Sequence, residues 1–130
     1  MLLAQLSDLH IEAREEPDAF IDTAACLRTA VTHLNGLDPH PDAVLITGDL
    51  VDTGSPADYA LLRELLAPLP MPVYLQPGNH DDRAGLCRAF ADHAYLPPPG
   101  EYIQYTVEDL PVRLVVLDTL IPGKVGGELC

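Results

Sequence analysis

Basic residues are scarce in this chain: its 130 residues include 7 lysines and arginines against 20 acids, a formal net charge of −13. A surface that binds nucleic acid or an anionic membrane needs clustered lysine and arginine to neutralise phosphate groups. The charge balance therefore argues against both kinds of partner. Most of the acids are explained by a solvated surface, and the remainder are compatible with a bound cation.

Paired cysteines are also missing. The three cysteines, at positions 26, 87 and 130, are an odd number and contain no CxxC pair. The sequence therefore indicates neither a disulfide framework nor a thiolate zinc site. Cys26 and Cys87 fall in helix-like segments, where we expect buried free thiols.

Targeting and membrane-spanning segments are not apparent. The first ten residues, MLLAQLSDLH, have no basic segment ahead of the apolar residues and reach an acid at position 8, unlike a signal peptide. No apolar run approaches the roughly 20 residues that span a membrane. We therefore expect a cytoplasmic protein.

The composition, 48% hydrophobic and 21% charged with no repeat or low-complexity tract, fits a single globular domain over residues 1–130. Buried strands and helices alternate in its first 93 residues. Strands are predicted at 2–7, 42–47 and 72–76, and helices at 20–34, from Ser55 to before Pro68, and at about 83–93.

Two local signals complete the secondary structure. Ser55 is predicted to cap the second helix, with Pro56 at its first position and Asp58 closing a capping box. Residues 102–118 contain two β-rich runs joined by a polar turn, which predicts a hairpin. The order of elements predicts an α/β fold with a parallel-rich sheet and a β-hairpin extension.

Each predicted parallel strand is followed by polar residues, and the carboxyl ends of such strands meet at one edge of the sheet. Residues i and i+2 of extended backbone face the same way, so Asp8 and His10 should share one side while Leu9 turns toward the core. Gly48 and Gly78 should allow tight turns and close approach. The three motifs are Asp8-Leu9-His10, Gly48-Asp49-Leu50-Val51-Asp52 and Gly78-Asn79-His80-Asp81.

Each motif alone is a weak signal, and the last one could be a polar turn in which Asp81 caps the following helix. Together they supply carboxylate, imidazole and amide ligands without a thiolate. Such a set suits Mn²⁺, Fe or Zn²⁺, with Asp49 as the candidate bridging ligand.

The same motifs resemble those of the calcineurin-like metallophosphoesterases. The segments LSDLH, GSPADY, PGNHDDR, VVLDT and PGKVGGEL are most similar to bacterial cyclic-nucleotide and glycerophosphodiester phosphodiesterases. The resemblance implies hydrolysis of a small phosphodiester by two divalent metal ions (Mn, Fe or Zn). It also implies the N-terminal half of an α-β-β-α sandwich.

The resemblance assigns a role to each of five residues. Asp8 and His10 would hold the first metal, Asp49 would bridge, and Asn79 would bind the second metal. His80 would be catalytic and would assist the leaving group without binding metal.

Further residues receive weaker assignments. The resemblance gives Asp52 and Asp118 orienting roles. We expect Arg83 to be a solvated residue of the first helical turn, with assistance to the substrate as the alternative. Three histidines are expected to be surface or satisfied structural residues: His33, His40 and His93.

The chain also departs from the family pattern, which includes three more histidine ligands, whereas no histidine follows His93. The second metal, left with Asp49 and Asn79, should bind weakly or not at all. A truncated domain should leave an apolar sheet face that a homo-oligomer would cover. The alternative function is that of a non-catalytic metal-binding or oligomerising fragment.

Overall fold

A computed structural model describes residues 1–13 and 21–129. It confirms three strand–helix units followed by a hairpin, while the predicted start of the first helix at residue 20 lies outside the described residues. The strands are β1 (Leu3–Leu6), β2 (Ala43–Thr47), β3 (Val73–Gln76), β4 (Tyr105–Val107) and β5 (Leu114–Val116), and the helices are α1 (Thr23–Asn35), α2 (Pro56–Leu66) and α3 (Arg83–Ala89).

The first three strands form a parallel sheet in the order β1-β2-β3, which confirms the predicted fold class. Alternate side chains of these strands pack on one face against the helices to form the core. The two central rows of that face are Ala4, Val44 and Val73, then Leu6, Ile46 and Leu75.

The predicted hairpin forms a separate antiparallel sheet of β4 and β5. Tyrosine hydroxyls form hydrogen bonds with backbone groups of β3. The Leu75 N–H donates to the Tyr95 hydroxyl (3.1 Å), which donates to the Val73 carbonyl oxygen (2.9 Å). The Tyr105 hydroxyl donates to the Leu75 carbonyl oxygen (2.8 Å). These bonds satisfy backbone groups that a further strand would otherwise pair with.

The face of the parallel sheet opposite the core is apolar only in part, which corrects the expectation of an apolar face. Leu45 and Tyr74 are half-buried there, but Gln5 is exposed and its side-chain amide donates to the Thr47 hydroxyl (2.8 Å). The polar residues arise because strand residues alternate between faces, and this face carries the glutamines and threonine of the sheet.

The predicted capping box at the start of α2 is confirmed. The Asp58 N–H donates to the Ser55 hydroxyl oxygen (3.1 Å), and the Ser55 N–H donates to the Asp58 carboxylate (3.3 Å). The same carboxylate accepts bonds from the Ala13 N–H (2.9 Å) and the Thr53 hydroxyl. Asp58 thus joins the segment after β1 to the start of α2.

The helices differ from prediction in three details. Helix α3 ends at Ala89, and its N-cap is Asp82, whose carboxylate accepts from the Gly85 N–H (2.6 Å); the alternative with Asp81 as cap is wrong. Cys87 is buried as expected, but Cys26 is exposed because α1 turns Leu27 and its heptad neighbours inward. Among the described residues, no helix has the length and apolar character required to cross a bilayer.

Candidate metal centre

The carboxyl ends of the three parallel strands converge as predicted. The Asp8 N–H donates to the Gly48 carbonyl oxygen (3.1 Å), and the Gly48 N–H donates to the Gln76 carbonyl oxygen (3.0 Å). The His10 N–H donates to the Asp49 carbonyl oxygen (2.9 Å). These bonds continue the parallel pairing past the strands, so the three polar motifs lie side by side.

The loops after β2 and β3 touch at Gly78. A Cβ atom at this residue would lie 2.2 Å from the Asp49 nitrogen and 2.3 Å from its Oδ1 atom, so a side chain cannot be accommodated without moving the loops. Gly48, with φ of +81°, supplies the tight turn. The expectations for the two glycines are therefore confirmed as a tight turn at Gly48 and a close approach at Gly78.

The backbone of the candidate ligands is left-handed, with φ of 54° at Asp8, 44° at His10 and 47° at Asp49. The extended backbone expected at Asp8 and His10 is therefore wrong, but the two side chains do enter one site and Leu9 does pack against the core. Left-handed backbone costs of order 1–3 kcal/mol at a residue other than glycine and is concentrated at functional sites.

Three predicted ligands form one cluster. Donor atoms of Asp8, His10 and Asp49 all lie within 4.8 Å of one another. Asn79 lines, with Asp8 and Asp49, a cavity of about 230 Å³. Two carboxylates, an imidazole and an amide are a donor set that fits Mn²⁺, Fe or Zn²⁺. The structure brings these four residues together, and their division between two metals stays a prediction.

Asp52 orients the imidazole of His10. The His10 Nδ1–H donates to the Asp52 carboxylate (3.1 Å), which leaves the lone pair on Nε2, 3.8 Å from Asp49 Oδ2. A carboxylate that accepts from one ring nitrogen of a histidine is the usual support for metal binding at the other. This contact agrees with the orienting role expected for Asp52.

His80 lies beside the cluster and is exposed. Its N–H donates to Asp49 Oδ1 (3.1 Å), its Nδ1–H donates to the Asp52 carbonyl oxygen (2.8 Å), and its ring centroid is 4.7 Å from that of His10. The hydrogen bond to the Asp52 carbonyl and the neighbouring carboxylates raise the pKa of His80, against a smaller effect of burial. Because the carbonyl oxygen can only accept, Nε2 is the nitrogen that can exchange a proton with a substrate.

His80 also belongs to a second cluster. Donor atoms of His10, Asp52 and His80 lie within 4.8 Å of one another. The bond from the His80 Nδ1–H to a carbonyl oxygen occupies the nitrogen nearest Asp52, 3.6 Å from that carboxylate. Its Nε2 is left free, as that of His10 is, so the non-ligand role of His80 stays a prediction.

Asp81 is a structural residue that the sequence reasoning missed. It is buried, and its carboxylate accepts from the Gly78 N–H (2.8 Å), the Leu50 N–H (3.1 Å) and the Tyr59 hydroxyl (3.1 Å). Burial raises the pKa of Asp81 to about 6, and these hydrogen bonds only partly oppose that rise. The doublet Asp81-Asp82 offered a signal, because only one of two adjacent acids can cap the helix.

The expectation of a solvated Arg83 is wrong. Its side chain, 14% exposed, donates two hydrogen bonds to the Asp118 carboxylate (2.6 and 2.8 Å) and one to the Leu120 carbonyl oxygen (2.6 Å). Its guanidinium lies 4.4 Å from the centroid of the Tyr102 ring. Asp118 also accepts from the Ile103 N–H (2.8 Å). Arg83 therefore ties the start of α3 to the end of the hairpin.

The remaining histidines lie apart from the site. His33 and His40 are exposed, and the His93 ring nitrogen Nδ1 is 3.0 Å from the Tyr95 hydroxyl. None of the three belongs to a potential metal-binding cluster within the described ranges 1–13 and 21–129.

Comparison with known proteins agrees with this arrangement. A family model described as calcineurin-like phosphoesterase matches residues 1–125. A glycerophosphodiester phosphodiesterase of Enterobacter lignolyticus is 37% identical over an alignment of 133 positions that covers 99% of this chain and 47% of the relative. A probable glycerophosphodiester phosphodiesterase of Arcobacter nitrofigilis is 35% identical over an alignment of 131 positions, which again covers 99% of this chain and 47% of the relative.

A further relative acts on a different diester. A 3′,5′-cyclic adenosine monophosphate phosphodiesterase of Pseudomonas aeruginosa is 35% identical over an alignment of 130 positions that covers 99% of this chain and 45% of the relative. The chain thus spans about half the length of the curated relatives it matches.

Proposed function

Because the chain belongs to the calcineurin-like phosphoesterase family, we propose that it supplies the metal-binding and proton-transfer residues of a phosphodiesterase. The proposed substrate is a small phosphodiester, either a cyclic nucleotide or a glycerophosphodiester, as the names of its relatives suggest. The observation that carries the proposal is the cluster of Asp8, His10 and Asp49 donor atoms within 4.8 Å of one another.

The proposed centre contains two divalent ions of the Mn, Fe or Zn class. Asp8, His10 and Asp49 hold the first, and Asp49 and Asn79 hold the second. Bound ions supply Lewis-acid stabilisation of negative charge on the phosphoryl oxygens. Since this chain gives the second ion few ligands, the remaining ones come from residues outside it, in a longer parent sequence or in a second copy.

His80 is proposed as the proton donor to the leaving oxygen. Its raised pKa favours the protonated imidazole, and the bond from Nδ1–H to the Asp52 carbonyl directs Nε2 away from that loop. A proton donor of this kind contributes roughly 10²–10⁴-fold to a rate.

The charge of the chain restricts how a substrate is held. A net charge of −13 repels an anionic diester, and Arg83 is engaged by Asp118. The positive field at the site therefore comes from the bound cations. The same charge balance disfavours nucleic acid and anionic membranes as partners.

A homo-oligomer and a cytoplasmic location complete the proposal. The partly exposed face of the parallel sheet carries Leu45 and Tyr74, and the exposed Leu117 lies beside it, where its carbonyl oxygen accepts from the Gln76 amide (2.9 Å). These residues form the surface that a second copy would cover. The unpaired thiols Cys26 and Cys87 suit a reducing compartment.

The second candidate function is a non-catalytic metal-binding or oligomerising fragment. It is favoured by the sequence after residue 93, which contains no histidine to complete the centre. The two functions differ in turnover, because both retain Asp8, His10 and Asp49 while only the enzyme obtains the missing ligands.

Hydrolysis of bis(p-nitrophenyl) phosphate and of cyclic AMP with added Mn²⁺ separates the two functions. Where a second copy supplies the missing ligands, we expect Mn²⁺-dependent turnover that is lost in Asp49→Asn and kept in Asp109→Asn, a control in which the acid is exposed in the hairpin turn. Turnover that is independent of Mn²⁺ or unaffected by Asp49→Asn contradicts the proposal. Mn²⁺ binding without turnover favours the second candidate.

A further inference from the structure

The buried carboxylate of Asp81 connects three elements of the structure. One of its oxygens, Oδ2, accepts from the Gly78 N–H after β3 (2.8 Å) and from the Leu50 N–H after β2 (3.1 Å). The other, Oδ1, lies 3.1 Å from the hydroxyl of Tyr59 on α2. Leu50 follows the proposed ligand Asp49, so Asp81 fastens the backbone of both ligand loops to each other.

Tyr59 contacts this carboxylate from the protein core. Tyr59 is fully buried, and its hydroxyl accepts from the Asp82 N–H (2.8 Å) while it lies 3.1 Å from Asp81 Oδ1. Its ring is packed against α3 at Gly85, where a Cβ atom would lie 2.8 Å from the ring carbon Cε2. Packing of the ring thus sets the position of the hydroxyl, and the hydroxyl sets the position of the carboxylate.

We propose that Tyr59 is a positioning residue for the metal centre, acting through Asp81 on the loops that carry Asp49 and Asn79. The Asp81 carboxylate has little access to water, so a lost hydroxyl leaves its Oδ1 without that donor. The carboxylate then moves to find another donor, and the Leu50 and Gly78 N–H groups lose their fixed acceptor. This inference rests on the metal centre proposed above.

The alternative is that Tyr59 only fills the core. Tyr95 is a matched control for that role, because its hydroxyl also accepts from a backbone N–H, that of Leu75 (3.1 Å), and donates to an oxygen, the Val73 carbonyl (2.9 Å). Burial raises the pKa of both tyrosines. The partners of Tyr95 are on β3, and neither belongs to a ligand loop.

The test compares Tyr59→Phe with Tyr95→Phe in two measurements. The dissociation constant of Mn²⁺ is measured by calorimetry, and the exchange of individual amide hydrogens is measured by NMR in metal-free protein. We expect Tyr59→Phe to weaken Mn²⁺ binding roughly 10–100-fold, as other losses of support around metal ligands do. We expect exchange of the Leu50 and Gly78 amides to accelerate about tenfold or more. Tyr95→Phe leaves both quantities unchanged.

Gly85→Ala provides a second variant that keeps the Tyr59 hydroxyl but displaces its ring. It should accelerate exchange of the same two amides. Unchanged exchange of the Leu50 and Gly78 amides in Tyr59→Phe overturns the inference, as does an equal effect of Tyr95→Phe on them. A wild-type chain that binds no Mn²⁺ contradicts the proposed metal centre instead, and the exchange measurement still decides the role of Tyr59.

Discussion

At the scale of single residues, the site combines strained backbone with tightly placed donors. Asp8, His10 and Asp49 all have positive φ, and the hydrogen bonds of the surrounding loops hold them in that conformation. The His10 ring is fixed by Asp52, so its free nitrogen faces the two carboxylates. The donors are therefore positioned by the fold before any cation arrives, which lowers the ordering cost of binding.

Gly78→Ala tests this positioning. The new Cβ would lie 2.2 Å from the Asp49 nitrogen, so the loops must separate. We expect Mn²⁺ binding to be lost and the free energy of unfolding to fall by about 1–3 kcal/mol, as in other overpacked sites. Calorimetric titration and urea unfolding measure the two effects. Gly36→Ala is the control, because its Cβ would make only ordinary contacts of 3.5 Å; equal effects of both variants would contradict the account.

At the scale of elements, two side-chain networks join segments that are distant in the sequence. Asp58 joins the segment after β1 to the start of α2, and the pair of Arg83 and Asp118 joins α3 to the end of the hairpin. Both networks hold in place the segments that flank the polar loops. Each contains an acid with little exposure whose charge is satisfied by hydrogen bonds rather than by water.

Removal of Arg83 should be costly. Asp118 is fully buried at its side chain, so Arg83→Ala leaves a buried carboxylate without its cation and should lower the free energy of unfolding by about 3–5 kcal/mol. Arg63→Ala is the matched control, because its pair with Asp92 is exposed and should contribute little to stability. Urea unfolding of both variants checks this. A loss in Arg83→Ala no larger than in Arg63→Ala would show that the buried pair does not stabilise the fold.

The stability conferred by Asp58 should depend on pH. Burial alone would raise the pKa of Asp58, but hydrogen bonds from Ala13, Thr53 and Ser55 outweigh it and lower the pKa in the folded protein. Its contribution is therefore present above the unfolded pKa, about 3.9, and is lost as the pH falls through the lower folded pKa. The difference in unfolding free energy between wild type and Asp58→Asn, measured in urea, should shrink from pH 7 toward pH 3. A constant difference across this range would rule out the titration of Asp58.

The sequence predicted the structural features that depend on residues close to one another along the chain. The Ser55 cap, the order of strands and helices along the chain and the convergence of the three motifs follow from local spacing and from the geometry of parallel sheets. Asp81 and Arg83 could not be placed in the same way, because their partners Tyr59 and Asp118 are 22 and 35 positions away. Which of two adjacent acids is buried is decided by those distant contacts.

At the scale of the whole molecule, the chain covers part of the length of the relatives it matches. It spans about half the length of its curated relatives and carries a net charge of −13. Even so, hydrogen bonds within the chain hold its ligand loops in place. The mixed face of the parallel sheet, with Leu45 and Tyr74 beside polar side chains, is the surface that we propose a second copy covers. Completion of the site and covering of this face are therefore expected to occur together.

Self-association should depend on the hairpin beside this face. Leu117 is 41% exposed, so Leu117→Lys places a charge on the proposed contact and should convert an oligomer to a monomer at micromolar concentration. Leu129→Lys, at a leucine that is 64% exposed outside the hairpin, should not. Size-exclusion chromatography with light scattering measures the mass. A wild-type monomer, or equal dissociation in both variants, would contradict the proposed interface.

The most direct test of the metal centre is the metal content of the purified chain, measured by elemental analysis after Mn²⁺ loading and desalting. We expect about one Mn²⁺ per chain in the wild type, held by Asp8, His10 and Asp49, and none in Asp49→Asn. A second equivalent would mean that a partner chain completes the second site. A wild type that retains no Mn²⁺, or an Asp49→Asn variant that retains as much, would contradict the assignment of this site.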